Sequence, residues 1–202
     1  MRIIGGKYKG IPIEAPKGQD TRPTYDRVRE SLASIILAQK NNDLEGLFAL
    51  DAFAGSGAVG FELLSRGAQA VFAFEKDRKA QQTIKKNAAK LSLTADEWKL
   101  FAGDILSAAK TDRLSSLIVK PLDIVFLDPP YAYHAHDLSE LVDNLDAKGR
   151  LAQDCLVIYE REKHADSLEL SHFQVKTSKT YGTTVLDVFL RTKEIHAEET
   201  LN

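Results

Sequence analysis

Leu47-Phe-Ala-Leu-Asp51-Ala-Phe-Ala-Gly55-Ser-Gly57-Ala-Val-Gly60 begins as an apolar run, meets an acid and then passes three spaced glycines. The run has the length and composition of a buried strand, and the glycines permit a tight turn that a ligand can approach closely. Phe61, Leu63 and Leu64, ahead of Gly67, supply the apolar positions of a helix. Strand, glycine loop and helix make one unit of an open α/β sheet, in which ligands bind beyond the carboxyl ends of the strands.

The same alternation continues downstream. Ala70-Val-Phe-Ala-Phe74 reads as a second strand ending at Glu75, and Asp77 can start a helix carrying Ala80, Ile84, Ala88 and Leu91. Trp98-Lys-Leu-Phe101 is a third strand, followed by Gly103-Asp104 and a helix expected over 106–118. The fourth strand, 122–127, stops at Asp128-Pro-Pro-Tyr131, where prolines cannot extend a ladder. Leu138, Leu141, Val142 and Leu145 mark a further helix, and Leu156-Val-Ile-Tyr159 a fifth strand. Two alternating runs over 172–191, parted at Tyr181-Gly182-Thr183, predict an antiparallel hairpin. The fold class is therefore α/β, a doubly wound and mostly parallel seven-stranded sheet of Rossmann-like type.

Upstream, the residues at 2–13 suggest two short strands around Gly5-Gly6, followed by a loop over 16–23. A helix follows Thr24 as its cap, packs through Val28, Leu32, Ile35 and Ile36, and ends at Asn41 and Asn42. A boundary near 42–46 divides the chain into an N-terminal appendage at 1–45, a β-hairpin plus helix, and a larger domain at 46–202.

With 44% hydrophobic and 28% charged residues, the chain has a globular composition, and no apolar run approaches the roughly 18 residues of a membrane span. The start, Met-Arg-Ile-Ile-Gly-Gly-Lys7, lacks the apolar region of a signal peptide, so the cytoplasm is expected. The single Cys155 sits in an apolar run and reads as a buried structural thiol. His134 and His136 lack clustered partners, so no metal site is expected. The net charge of −2 hides a basic start, in which Arg2, Lys7, Lys9, Lys17, Arg22, Arg27 and Arg29 outnumber Glu14, Asp20, Asp26 and Glu30. That excess is a candidate polyanion contact.

Asp51, Glu75, Asp104 and Asp128 stand at or just beyond successive strand ends, so a parallel sheet would bring four carboxylates to one crevice. Gly55-Ser-Gly57-Ala-Val-Gly60 satisfies G-x-G-x-x-G, with Glu75 at a spacing suited to ribose. Glu75 would accept from ribose hydroxyls and Asp104 from an adenine amine, which serves NAD and S-adenosylmethionine (SAM) alike. Asp128-Pro129-Pro130-Tyr131 separates them. A nucleobase amine has its lone pair delocalised into the ring, and acceptors at Asp128 and the Pro129 carbonyl would hold its N–H groups and favour a tetrahedral nitrogen. Asp128 could also take the departing proton, and Tyr131 could stack on a base presented out of its helix.

These residues resemble the motifs of class I SAM-dependent methyltransferases that act on exocyclic amines. Arg2-Ile-Ile-Gly-Gly6 and Arg22-Pro-Thr-x-Asp-Arg-Val-Arg-Glu30 are similar to those of the bacterial RsmD family, which methylates a guanine N2 in 16S ribosomal RNA. The resemblance runs from residue 2 to the hairpin near 190. It implies that Asp51, Phe53, Gly55, Gly57, Glu75 and Asp104 bind the cofactor S-adenosylmethionine, and that Asp128, Pro129, Pro130 and Tyr131 hold the target guanine. Arg2, Lys7, Lys9, Arg22, Arg27 and Arg29 would hold RNA, within an assembled or partly assembled small ribosomal subunit, with the enzyme expected as a monomer. Readings outside this family are a DNA adenine-N6 methyltransferase, an NAD-dependent oxidoreductase and a noncatalytic RNA-binding protein.

Overall fold

The computed structural model describes residues 1–16, 23–111, 113–130 and 132–192, with side chains of 23–26 left aside. Its elements are α1 (Pro23–Gln39), β1 (Phe48–Asp51), α2 (Ala58–Ser65), β2 (Ala70–Glu75), α3 (Arg78–Lys90), β3 (Trp98–Ala102), α4 (Ile105–Ala109), α5 (Arg113–Leu117), β4 (Leu122–Leu127), α6 (Ala135–Ala147), β5 (Leu151–Glu162), β6 (Phe173–Tyr181) and β7 (Thr184–Arg191). The seven strands form one sheet in the order β3-β2-β1-β4-β5-β7-β6. The first five run parallel and β7 runs antiparallel to both its neighbours, as the sequence predicts.

Each central strand is buried on both faces, so successive residues feed two cores. Ala49, Val71, Ala73, Ile124 and Phe126 pack with Val28, Leu32, Ile36, Phe61, Leu64 and Ile84 of α1, α2 and α3. Leu50, Phe72, Phe74, Val125 and Leu127 pack on the other face with Ile105, Leu114, Leu138, Leu141, Val142 and Leu145 of α4, α5 and α6. That is the two-sided covering a parallel sheet requires. No helix among the described residues is long and apolar enough to cross a membrane.

Three expectations change in detail. α1 begins at Pro23 rather than after Thr24. Proline suits the first helical position, where its missing N–H has no partner to lose. The single helix expected over 106–118 is two short ones, and Thr111 Oγ1 bonds back to the Ala108 carbonyl at 3.1 Å where the first ends. β5 extends well past Tyr159, because β7 pairs with Glu160, Arg161 and Glu162 beyond the apolar run.

The N-terminal arms bond through Ile3 N–H to the Ile11 carbonyl (3.1 Å) and Ile13 N–H to the Met1 carbonyl (3.0 Å), but form only one bridge, Arg2 with Pro12. The ladder goes no further because its donors are spent on α2. Ile4 and Gly5 donate to the two oxygens of buried Glu62, each at 2.8 Å, while Lys7 and Tyr8 donate to the Ser65 carbonyl and hydroxyl. Gly6, at φ +76°, passes so near the Ser65 carbonyl that a Cβ there would lie 1.8 Å from its oxygen. Fully buried Asn87 of α3 joins the Glu14 backbone to the Ser56 carbonyl of the glycine loop. At the far edge, buried Asp187 takes Arg161 Nε (2.6 Å) and Ser167 Oγ (2.7 Å), and Ser31 of α1 is hydrogen-bonded to Tyr181 at the hairpin tip.

Candidate active site

β1 ends on Asp51 and β2 on Glu75, while Asp104 follows β3 and Asp128 follows β4. Since these four parallel strands are neighbours, the four acids line one edge of the sheet. The chain reverses its travel across the sheet between β1 and β4, and an open sheet forms its ligand crevice at such a switch point.

Asp51 forms the floor. It is only 2% exposed, and its Oδ2 accepts the Gly60 N–H at 3.2 Å, in the first turn of α2. Its Oδ1 is buried with no hydrogen-bond partner among the described residues. Burial pushes its carboxyl up to about 7; the Gly60 and Phe53 N–H groups oppose this, and the charges of Asp128 and Glu75 add to it. The glycine loop above it is held by Glu75, whose Oε2 accepts from Gly55 N–H at 2.8 Å and whose Oε1 accepts from Asp77 N–H at 2.7 Å. Gly57 adopts φ +79°, and a Cβ there would meet the Phe61 ring at 2.5 Å, so glycine is required on both counts.

Asp104 caps α4. Its Oδ1 accepts Leu106 N–H (3.3 Å) and the Tyr133 hydroxyl (2.9 Å), and its Oδ2 accepts the Ser107 hydroxyl (2.9 Å). Burial works upward on this carboxyl, but the bonds from Ser107, Tyr133 and the Leu106 backbone together hold it below the usual carboxylate range. Tyr133 also accepts from Lys76 Nζ at 3.0 Å and meets the Phe53 ring edge-on, centroids 5.1 Å apart.

Asp128 is exposed at the tip of β4, flanked by the ends of the neighbouring strands β1 and β5. Leu127 and Tyr159 are register partners on β4 and β5, so Asp128, just past the end of β4, stands beside Glu160, which is still within β5. Burial raises both carboxyls, and the charge of Asp128 raises Glu160 further. Pro129 is half-exposed and Pro130 exposed, and the Pro130 carbonyl accepts Tyr133 N–H at 3.1 Å. Tyr131 lies outside the described residues.

A family model described as "Conserved hypothetical protein 95" matches residues 1–190. The chain is 38% identical over 164 residues to ribosomal RNA small subunit methyltransferase D of Escherichia coli strain K12, covering 80% of this chain and 75% of that one. The chain belongs to the RsmD family. Another RsmD relative, ribosomal RNA small subunit methyltransferase D of Haemophilus influenzae, is 30% identical over 183 residues, with 90% and 89% covered. The solved structure of the Escherichia coli protein yhhF matches with a TM-score of 0.77 at 31% identity, over 96% of this chain and 99% of that one. Magnesium protoporphyrin IX methyltransferase from Synechocystis, solved with SAM, has a TM-score of 0.62 at 18% identity over 87% and 86% of the chains, which shows the fold alone.

In this RsmD chain the basic residues expected on RNA divide. Arg2, Lys7, Lys9 and Arg27 are exposed, although Lys7 Nζ also pairs with Glu97 Oε1 at 3.2 Å. Arg29 is buried, 8% exposed, and donates to the Arg2 carbonyl at 3.2 Å, so it fastens the N-terminal segment and presents little charge outward. Arg22 lies outside the described residues. Two site residues escaped the sequence reading. Glu160 follows the fifth strand's apolar run as the other acids follow theirs, so the same strand-end logic points to it. Tyr133 carries no sequence signal, since its partners come from loops far apart in the chain.

Proposed function

We propose that this methyltransferase moves a methyl group from SAM to the exocyclic N2 amine of a guanine in 16S small-subunit ribosomal RNA, acting in the cytoplasm. The observation that carries the reading is the meeting, at the switch point between β1 and β4, of the buried unpartnered Asp51 Oδ1 with the Asp128-Pro129-Pro130 segment. The residues fit the ligand. A buried acceptor without a donor suits the ammonium of a methionine moiety, whose charge would draw the Asp51 carboxyl back down. The same carboxylate disfavours a dinucleotide, because it already occupies the helix N-terminus where a pyrophosphate would sit.

When bound, SAM supplies a methyl group already activated on a sulfonium. Phe53 and Gly57 would shape the cofactor crevice, Glu75 would face the ribose, and Asp104 the adenine amine. Asp128 and the Pro129 carbonyl accept the two N–H groups of the target amine and hold its lone pair toward the methyl carbon, with Tyr131 stacked on the base. The surplus proton of the methylated nitrogen would pass to the Asp128–Glu160 pair and then to water. Residues 1–45 supply the RNA-binding appendage, through Arg2, Lys7, Lys9, Arg22 and Arg27.

Incubation with methyl-labelled SAM and undermethylated small subunits, with free ribosomal RNA in parallel, tests this reading. N2-methylguanosine in hydrolysates is the expected product. Label confined to adenine, DNA or protein would falsify the assignment.

A further inference from the structure

We propose that Tyr133 is a positioning residue of the cofactor crevice, whose hydroxyl orients Asp104 toward the adenine amine from the same loop that carries the target-base motif. The inference rests on the SAM reading above.

Tyr133 is fixed from both sides along the chain. Its N–H closes a turn onto the Pro130 carbonyl at 3.1 Å, and the next residue, His134, is the N-cap of α6. Its side chain then reaches three cofactor-side loops at once. The ring meets Phe53 of the glycine-loop segment edge-on, with an interplanar angle of 63°. The hydroxyl accepts from Lys76, just past β2, and donates to Asp104, just past β3. Lys76 Nζ also lies 4.7 Å from the ring centroid. Donor and acceptor charges at the two ends of this short chain polarise the hydroxyl between them.

The bond to Tyr133 selects which part of Asp104 remains open. A carboxylate offers about four acceptor positions, two on each oxygen. Oδ1 is used twice, by Leu106 N–H and the Tyr133 hydroxyl, and Oδ2 is used by the Ser107 hydroxyl. The Ser107 N–H also bonds to this carboxylate, so its plane is set from both oxygens, and with Oδ1 used twice a further donor is directed away from the Tyr133 side. Tyr133 therefore acts on adenine recognition through Asp104, while its ring and Phe53 form a wall of the same crevice.

The test compares S-adenosylhomocysteine with S-inosylhomocysteine, which carries a carbonyl where adenine carries its amine, by calorimetry on the full chain. The native protein is expected to prefer the adenosyl compound. Tyr133→Phe keeps the ring and should lower that preference about fivefold, the scale of losing one hydrogen bond to a carboxylate that keeps its others. Tyr133→Leu should lose the same preference and also bind both compounds more weakly. A Phe variant that keeps both native affinities, or loses both in equal proportion, overturns the positioning role and leaves the SAM site standing. A native protein that binds neither compound overturns the SAM reading and this proposal with it.

Discussion

Asp51 Oδ2 accepts the Gly60 N–H at 3.2 Å, which places a buried carboxylate at the first turn of α2 with its other oxygen unpartnered among the described residues. Burial holds its carboxyl near 7, well above the ordinary value of 3.8, so the folded protein retains a proton that the unfolded chain gives up. The contribution of this group to stability is greatest below about pH 4 and is lost as pH rises toward about 7. Asp51→Asn removes that loss. Its melting temperature at pH 8 should rise by about 3 °C, with a flatter pH dependence between the two values. Calorimetry should show SAM binding lost in the same variant. A lower melting temperature at pH 8 would contradict the assignment.

Asp128 and Glu160 give a second prediction. Asp128→Ala should leave SAM binding intact and slow single-turnover methyl transfer by about 10²-fold, the scale of one positioned polar group. The native pair releases its protons in two macroscopic steps, and Glu160→Gln leaves one. The upper ionisation should therefore vanish from the pH profile of kcat/KM in the Gln variant. A profile that keeps both ionisations removes Glu160 from the pair.

Glu62 holds the N-terminal segment to α2. Its buried carboxylate takes the N–H groups of Ile4 and Gly5 and pairs with Arg66 Nε at 2.8 Å. Glu62→Ala leaves these donors unpaired and should cost about 3 kcal/mol in denaturant unfolding. RNA affinity should fall with it at temperatures where the protein remains folded, while SAM affinity stays within about twofold, the ordinary scale for a distant site. Equal loss of both ligands would show that the segment supports the whole domain rather than the RNA face.

The basic residues separate by burial. Lys9→Glu and Arg27→Glu alter exposed charges, so each should weaken RNA binding and lower the salt slope of affinity by about 0.7 to 0.9. Arg29→Ala should act mainly on stability, because its guanidinium lies inside and donates to the Arg2 carbonyl. Melting curves and filter binding over a salt series distinguish the two behaviours. An Arg29 variant with native stability and a reduced salt slope would return it to the RNA face.

What the sequence by itself determined is the layered sheet and the strand-end acids. Those signals are local: an apolar run long enough for a strand, an acid or glycine where it stops, and apolar residues at helical spacing between. The closing hairpin was legible for the same reason, from two alternating runs around Tyr181-Gly182-Thr183. Only the tertiary structure decided where β5 ends, since pairing with β7 carries it through the polar Glu160-Arg-Glu162 stretch. It also decided that the N-terminal donors bond to Glu62 and Ser65 rather than extend a ladder, that Arg29 turns inward, and that Tyr133 reaches Phe53, Lys76 and Asp104 together. These are contacts between residues distant in the chain, and each depends on which partner the folded sheet brings within hydrogen-bonding reach.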